Sequence, residues 1–380
     1  MTEAPKKRGR PAKAHADAVR PSDTAAIGME LQQSSGSRDT IDELRAARQS
    51  RLKLLGDGAR QRVELISAVR SAYIESGRDK FLDIQLNAFL EMIFTELEGG
   101  FAPGAAMFVT GESGAGKTRS VRAMLDRSPA LAAETHSYGA QLPWVSVTLG
   151  GASTIKMLGH KILEAAGYPL KETSGSKVWH ILPDILSMKK IFLVHIDETQ
   201  HLVRETEKDR DRKDLTDAIK GCMTNSIWPI SFILSGLPQT NSIASLDAQL
   251  DRRSVKVHLP PLKTDDRAIV VKIVSTMTEI AELSSEKLLL TDLPERLMHA
   301  ADAQFGRVCD ATLAAIRDAL SRGQKKLELQ NYRRAFDLSS HSLGSPEKNP
   351  FASEYWRDLP KGSFIIGKIY DHSRPEGDDV

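Results

Sequence analysis

The chain has 380 residues, of which 41% are hydrophobic and 27% are charged. This composition is typical of a globular protein and excludes a fibrous or wholly disordered chain. The length predicts two or three compact units. The 52 basic and 50 acidic residues leave a formal net charge of only +2, so overall charge gives no indication of a nucleic-acid partner. Two widely separated cysteines, Cys222 and Cys309, are too few for a disulfide framework and favour a reduced, intracellular setting.

Neither a membrane nor a secretory pathway is indicated by the sequence. No apolar run approaches the roughly 20 residues that a membrane-spanning helix requires. The N-terminus begins with polar and basic residues that are not followed by an apolar stretch, which argues against a secretory signal peptide. We therefore expect no membrane partner.

Residues 1–40 are predicted to form a disordered basic tail, because they contain almost no large apolar side chain. The segment Arg8-Gly9-Arg10-Pro11 is expected to be narrow and extended, since glycine lacks a side chain and proline fixes φ. Such a segment can enter the minor groove of A·T-rich DNA, with both arginines on its floor. We interpret it as a DNA-binding motif that resembles an AT-hook, with a merely solubilising basic tail as the alternative.

The rest of the chain divides by hydrophobic pattern. Residues 41–100 have the period of amphipathic helices. Residues 101–262 alternate short apolar runs with helical stretches, which is typical of a parallel sheet covered by helices on both faces. Residues 263–338 are predicted to form a small helical subdomain, and residues 339–380 a polar tail. The five predicted strands are 105–110, 144–149, 191–196, 230–234 and 255–259.

The first predicted strand is followed directly by GESGAGKT, which matches the phosphate-binding pattern G-x-x-x-x-G-K-[ST]. Its glycines allow backbone N–H groups to wrap a phosphate, and the following helix adds the positive end of its dipole. Lys117 is expected to reach the β- and γ-phosphates, and the Thr118 hydroxyl to ligate Mg²⁺. The sequence thus predicts a site for ATP and Mg²⁺, and the nucleotide-binding residues are Gly111, Glu112, Ser113, Gly114, Ala115, Gly116, Lys117, Thr118 and Arg119.

The third predicted strand ends in two acidic residues, Asp197 and Glu198. At the carboxyl end of a strand, Asp197 would hold Mg²⁺ through its water shell. Glu198 would polarise the attacking water, because hydrolysis of a phosphoanhydride needs an oriented nucleophile. The alternative is a buried strand that simply ends in solvated acids. His195, inside the same strand, is interpreted as a packing residue.

Four further residues, one serine and three arginines, are candidates for contact with the γ-phosphate. Ser235 ends the fourth strand, where a small polar side chain could sense the phosphate or simply terminate the strand. Arg252 and Arg253 precede the fifth strand, and Arg253 is the favoured arginine finger for a neighbouring subunit's nucleotide. Arg307 opens a helix of the small subdomain and could approach the phosphate as that subdomain closes. For each arginine, a solvated surface position is the alternative.

Taken in order, these motifs resemble those of AAA+ ATPases, and within that superfamily they are most similar to the TniB/TnsC group of transposition regulators. The resemblance covers roughly residues 40–355. It is carried by GESGAGKT, DETQHL at 197–202, SGLPQ at 235–239, QLDRRS at 249–254, FGRV at 305–308 and NPF at 349–351.

The resemblance implies an α/β fold, namely a P-loop AAA+ parallel five-stranded sheet sandwiched by helices, with a small helical lid. It also implies a bacterial, cytoplasmic regulator that assembles head-to-tail on double-stranded DNA as a ring or helical filament. Such a regulator would recruit or activate a DDE transposase together with a TniQ-like targeting protein. ATP would lie between subunits, and its hydrolysis, stimulated by DNA or a partner, would disassemble the complex.

Two alternatives remain open. The first is a DNA-binding adaptor that uses ATP binding as an assembly switch without hydrolysis; an intact Glu198 argues against it. The second is an AAA+ ATPase of the initiator or helicase-loader type. That class is expected to carry a winged-helix domain after the lid, and the polar stretch after Leu338 leaves little room for one.

Overall fold

The computed structural model describes residues 36–136, 139–170, 175–202, 209–245, 247–340 and 345–362. The AT-hook-like motif at residues 8–11 lies outside these residues. The chain divides into two compact units, Met1–Leu52 and Lys53–Val380. In the first unit, a single described helix, α1 (Gly36–Leu52), begins inside the region predicted as a tail.

Two helices open the second unit. Helix α2 (Asp57–Ser71) buries Val69 in a core formed mainly by the C-terminal helices. Helix α3 (Gly77–Phe94) begins at a capping box, in which the Ser76 backbone N–H donates to the Asp79 carboxylate over 2.7 Å. Its buried residues recur at helical spacing and pack against the sheet; they are Leu82, Leu86, Phe89 and Leu90.

A five-stranded parallel sheet forms the centre of this unit, with strand order β2-β3-β4-β1-β5. Two short antiparallel hairpins, Glu96–Leu97 with Gly100–Phe101 and Glu134–His136 with Gly139–Gln141, accompany it. The sheet region comprises, in chain order, β1 (Ala106–Gly111), α4 (Lys117–Arg127), β2 (Trp144–Thr148), α5 (Ile155–Ala165), α6 (Gly175–Met188), β3 (Leu193–Asp197), α7 (Asp209–Met223), β4 (Ser231–Gly236), α8 (Ser242–Ser245), α9 (Ala248–Arg252) and β5 (Ser254–Leu259).

The three central strands are buried along their whole length, because helices cover both faces of the sheet. Each predicted strand overlaps an observed one, so the predicted α/β fold is confirmed: a five-stranded parallel sheet is flanked by helices and followed by a helical C-terminal region. The observed ends of β3, β4 and β5 include polar residues that the hydrophobic pattern did not mark, namely Asp197, Ser235 and Ser254.

The C-terminal region contains helices around a separate apolar core that includes Ile273, Leu297 and Ile316. The segment after them also packs: the ring of Phe351 stacks on that of Tyr332 with centroids 5.3 Å apart. This packing was not expected from the sequence, which predicted a polar tail from residue 339, because the aromatic residues that pack here lie in a segment of mostly polar residues. The helices are α10 (Arg267–Ile280), α11 (Glu286–Leu289), α12 (Leu293–Ala300), α13 (Phe305–Ser321) and α14 (Leu329–Ser340).

None of the described helices combines the length and the hydropathy that crossing a bilayer requires.

Candidate nucleotide-binding site

The loop between β1 and α4 has the geometry of a phosphate-binding loop. Gly114 and Gly116 have φ values of 83° and 88°, in the left-handed region that favours glycine. Gly116 is also the N-cap of α4, so the helix begins at Lys117. A Cβ atom on Gly114 would lie 2.5 Å from Cγ of Arg307, so this glycine is required both by the backbone conformation and by the close approach of α13.

Lys117 is held against the loop that precedes it. Its ammonium group donates to the backbone carbonyls of Gly111 and Glu112, each over 3.0 Å. Burial lowers the pKa of Lys117, and the carboxylates of Glu198, Asp197 and Glu112 oppose that shift. A partly desolvated cation at the mouth of a glycine loop is suited to bind phosphate oxygens, and the phosphate-binding role of Lys117 stays a prediction.

Asp197 and Thr118 meet at the end of the sheet. The Thr118 hydroxyl donates to Oδ2 of Asp197 over 2.7 Å, and the Ser235 hydroxyl donates to Oδ1 over 2.6 Å. Among the described residues no cluster of three or more acidic, histidine or cysteine side chains could hold a metal ion by itself. One hydroxyl and one carboxylate fit Mg²⁺ in a nucleotide site, because this ion takes few protein ligands and completes its shell with phosphates and water.

Glu198 has an uncommon backbone conformation. Its φ is 58°, in the left-handed region, which costs a non-glycine residue roughly 1–2 kcal/mol. The Gln200 side chain donates a hydrogen bond to the Glu198 carboxylate. Glu198 lines the same cavity as Lys117 and Thr118. Such strain is typical of functional sites, and here it accompanies the residue predicted to orient the attacking water.

His195 is more than the packing residue that the sequence suggested. The side chain is 2% exposed, yet both ring nitrogens have partners: Nδ1 lies 2.8 Å from the Ser146 hydroxyl and Nε2 lies 2.8 Å from the Ser235 hydroxyl. Burial lowers the pKa of His195, so the ring is neutral near pH 7. The sequence contained one indication that His195 lies near the site. His195 is two residues before Asp197 in β3, and residues two apart in a strand share a face.

A cavity of about 250 Å³ adjoins the phosphate-binding loop. Its walls come from α2, the segment that joins α2 to α3, the start of α3, α10 and α13. The sequence motifs mark only the glycine-loop end of this cavity, because the other lining residues are scattered along the chain and match no motif. The missed lining residues include Tyr73, Ile74, Arg78, Met277, Cys309 and Asp310.

Two arginines connect different walls of the cavity through hydrogen bonds to backbone carbonyls. Arg78 donates to the Ala115 carbonyl in the phosphate loop over 3.2 Å, and its guanidinium lies 4.3 Å from the centroid of the Phe305 ring. Arg119 donates to the carbonyls of Arg70 and Ala72 over 2.8 Å each. Arg119, predicted to contact nucleotide, therefore lines the cavity while its guanidinium holds the end of α2.

The helical region contacts the phosphate loop directly. The Gly306 backbone N–H donates to the Gly114 carbonyl over 2.7 Å, which places the start of α13 on the loop. Arg307 packs beside Gly114 and forms an ion pair with Asp302 over 3.4 Å. The predicted lid residue Arg307 thus lies next to the phosphate end of the cavity.

The arginine pair lies elsewhere. Arg252 is exposed, and its Nε donates to the Ala248 carbonyl over 3.1 Å. Arg253 is half-buried at the C-cap of α9, and its backbone carbonyl accepts a hydrogen bond from Ala106 at the start of β1. Neither arginine is among the described residues that line this subunit's cavity.

The family model described as "AAA domain" matches residues 103–244, which contain the phosphate loop, Asp197, Glu198 and Ser235. A search of curated proteins finds no match to the sequence.

Solved structures with similar folds include ORC proteins. The Aeropyrum pernix ORC1 protein, solved in complex with DNA, has a TM-score of 0.50 and 19% identity, and the match covers 73% of this chain and 71% of that one. The A. pernix ORC2 protein, solved in ADPNP–ADP complexes, has a TM-score of 0.48 and 19% identity, with 70% of each chain covered. Drosophila ORC bound to DNA has a TM-score of 0.47 and 12% identity, covering 75% of this chain and 67% of that one.

Proposed function

We propose that this chain binds ATP with Mg²⁺ and hydrolyses it to ADP and phosphate. The observation that carries the proposal is that the glycine loop, Lys117, Thr118 and Glu198 line one cavity, with the Thr118 hydroxyl held by Asp197 behind it. Together they offer backbone N–H groups and a cation for phosphate oxygens, and a carboxylate near the place where an attacking water would lie.

Each residue has a distinct part in that reaction. Lys117 binds the β- and γ-phosphate oxygens and stabilises the charge that develops on them. Thr118 and Asp197 would hold Mg²⁺, which would neutralise part of the charge on the phosphates. Glu198 orients a water molecule for attack on the γ-phosphorus and accepts hydrogen bonding from it. The bond between the γ-phosphorus and the β-phosphate oxygen breaks as the bond to the water oxygen forms, a proton of that water passes to Glu198, and ADP and phosphate leave.

The remaining nucleotide contacts follow from the shape of the cavity. Its apolar wall, which includes Tyr73, Ile74 and Met277, suits the face of a base, and the phosphate loop defines the opposite end. Arg307 lies beside the loop and is the candidate to contact the γ-phosphate from the helical region. Because α13 touches both the loop and the cavity, nucleotide binding and the position of the helical region are expected to depend on each other.

We further propose that the protein is a regulator of DNA transposition that assembles head-to-tail on double-stranded DNA. Arg253 supports this assembly, since it lies outside its own subunit's cavity and is available to a neighbour's ATP. A head-to-tail interface generates a ring or a helical filament. The resemblance to the TniB/TnsC group supports a DDE transposase and a TniQ-like protein as partners in the bacterial cytoplasm, and the motif at residues 8–11 adds a DNA contact.

The proposal is tested by electron microscopy of the purified full chain with duplex DNA and either ATP or a non-hydrolysable analogue. We expect ordered rings or filaments with both nucleotides, and disassembly only in the sample that can hydrolyse ATP. Assemblies that dissolve equally fast with both nucleotides would favour the adaptor that uses ATP only as a switch. Absence of any nucleotide-dependent assembly on DNA would contradict the proposal.

A further inference from the structure

A chain of three hydrogen bonds, two of them buried, crosses three strands of the sheet and ends at the candidate magnesium ligand. Ser146 in β2 and His195 in β3 are direct cross-strand partners. On its other edge, β3 pairs with β4, and there His195 lies opposite Ile233. Ser235 lies two residues after Ile233 in β4 and therefore on the same face. The hydrogen-bond chain runs from Ser146 through His195 and Ser235 to Asp197, and its three successive donor–acceptor distances are 2.8, 2.8 and 2.6 Å.

The direction of each hydrogen bond follows from which of the four side chains carry a proton that they can donate. The Asp197 carboxylate can only accept, so the single hydroxyl proton of Ser235 points to Asp197. The Ser235 oxygen must then accept from His195, which places the imidazole proton on Nε2. Nδ1 is left as an acceptor and takes the proton of Ser146. Every donor in the chain is thereby oriented towards Asp197.

This arrangement fixes both oxygens of one carboxylate. Oδ1 accepts from Ser235 at the end of the chain, and Oδ2 accepts from Thr118 at the start of α4. Without the N–H of His195, the Ser235 hydroxyl would be free to rotate and offer its proton elsewhere. Asp197 itself is 1% exposed, so water does not readily replace a lost donor.

We propose that His195 is a positioning residue for the Mg²⁺ site, acting through Ser235 to hold the Asp197 carboxylate in the orientation that receives the ion. The inference rests on the proposed function, because it requires that ATP binds here with Mg²⁺. A packing role alone would be filled by an apolar side chain of similar volume, whereas the positioning role needs the N–H donor.

The test is the gain in affinity that Mg²⁺ confers on binding of a fluorescent ATP analogue, measured as the ratio of dissociation constants in EDTA and in Mg²⁺. His195→Leu is expected to reduce this gain about twofold to tenfold, the range for one buried hydrogen bond, while affinity in EDTA is unchanged. His195→Gln retains an N–H donor on a planar amide and is expected to lie within about twofold of the wild type. Equal losses in both variants, or an unchanged gain in His195→Leu, would overturn the inference.

A second measurement leaves His195 intact and remains informative if His195→Leu does not fold. Ser146→Ala should reduce the Mg²⁺-dependent gain in affinity in the wild-type background. It should have no further effect in the Ser235→Ala background, because the hydrogen-bond chain to Asp197 is already interrupted there. Additive losses would overturn the positioning role. Failure of the wild type to bind the ATP analogue at all would instead contradict the proposed function, so the two failures are distinguishable.

Discussion

The contact between the phosphate loop and α13 gives a sharp prediction for Gly306→Ala. Gly306 is near the start of α13, and its N–H donates to the Gly114 carbonyl over 2.7 Å. A Cβ atom at this position would lie 2.6 Å from that carbonyl oxygen and 3.3 Å from the backbone nitrogen of Gly116. Both are backbone atoms of the loop, so the overlap is relieved only if the helix and the loop move apart.

The expected cost combines three terms. Overpacking a well-packed contact costs about 1–3 kcal/mol, and loss of the hydrogen bond costs about 0.5–1.5 kcal/mol. Alanine gains about 0.5–1 kcal/mol over glycine in a helix, which offsets part of this. We therefore expect Gly306→Ala to lower the free energy of unfolding by about 0.5–4 kcal/mol. Displacement of the phosphate loop that costs about 1.4 kcal/mol of this would weaken ATP binding about tenfold.

Denaturant unfolding and equilibrium binding of a fluorescent ATP analogue measure the two effects. Gly221→Ala is the matched control, because Gly221 lies in α7 and a Cβ atom there would meet nothing within 4 Å. The control should be as stable as the wild type or slightly more stable and should bind ATP normally. If Gly306→Ala behaves like this control, the contact between the loop and the helical region does not shape the nucleotide site.

Three further predictions follow. Arg253→Ala should reduce ATP hydrolysis at least about 100-fold with ATP binding retained, and Arg252→Ala should not; a steady-state phosphate assay with both variants decides between them. Asp318 is partly desolvated, but hydrogen bonds from Arg334, Asn331 and Arg322 outweigh this and lower its pKa. Asp318→Asn should therefore cost about 1.5–3 kcal/mol of stability at pH 7, and the difference from the wild type should vanish as pH falls below the depressed pKa; a difference that persists there would refute the ion-pair account. Deleting residues 1–20 should weaken DNA binding and flatten its dependence on salt, and an unchanged salt slope would exclude the tail as a DNA contact.

The phosphate end of the site was predictable from sequence because its requirements are local. A turn that wraps a phosphate needs glycines at fixed spacing, and Gly114 and Gly116 occupy left-handed conformations as that requirement implies. Asp197 was predictable because the carboxyl ends of parallel strands meet at one edge of the sheet. In both cases the chemistry depends on neighbouring residues in the chain.

The rest of the site depends on contacts between distant parts of the chain. Tyr73 and Met277 line one cavity although about half of the sequence separates them, and no local pattern indicates this. The role of His195 was obscured by the apolar strand around it, and only the register of β2, β3 and β4 places its two serine partners on either side. The packed segment after α14 was missed for a similar reason, because Phe351 finds its partner in Tyr332 of that helix.

The central claim, an ATP site in which Glu198 supports hydrolysis, is tested most directly by comparing phosphate release and ATP binding in the wild type and in Glu198→Gln. The account predicts that the variant binds ATP with Mg²⁺ as tightly as the wild type but loses at least about 100-fold in hydrolysis, because the amide cannot accept a proton from water. Wild-type protein that binds ATP without releasing phosphate, or a Glu198→Gln variant that hydrolyses ATP at the wild-type rate, would contradict it.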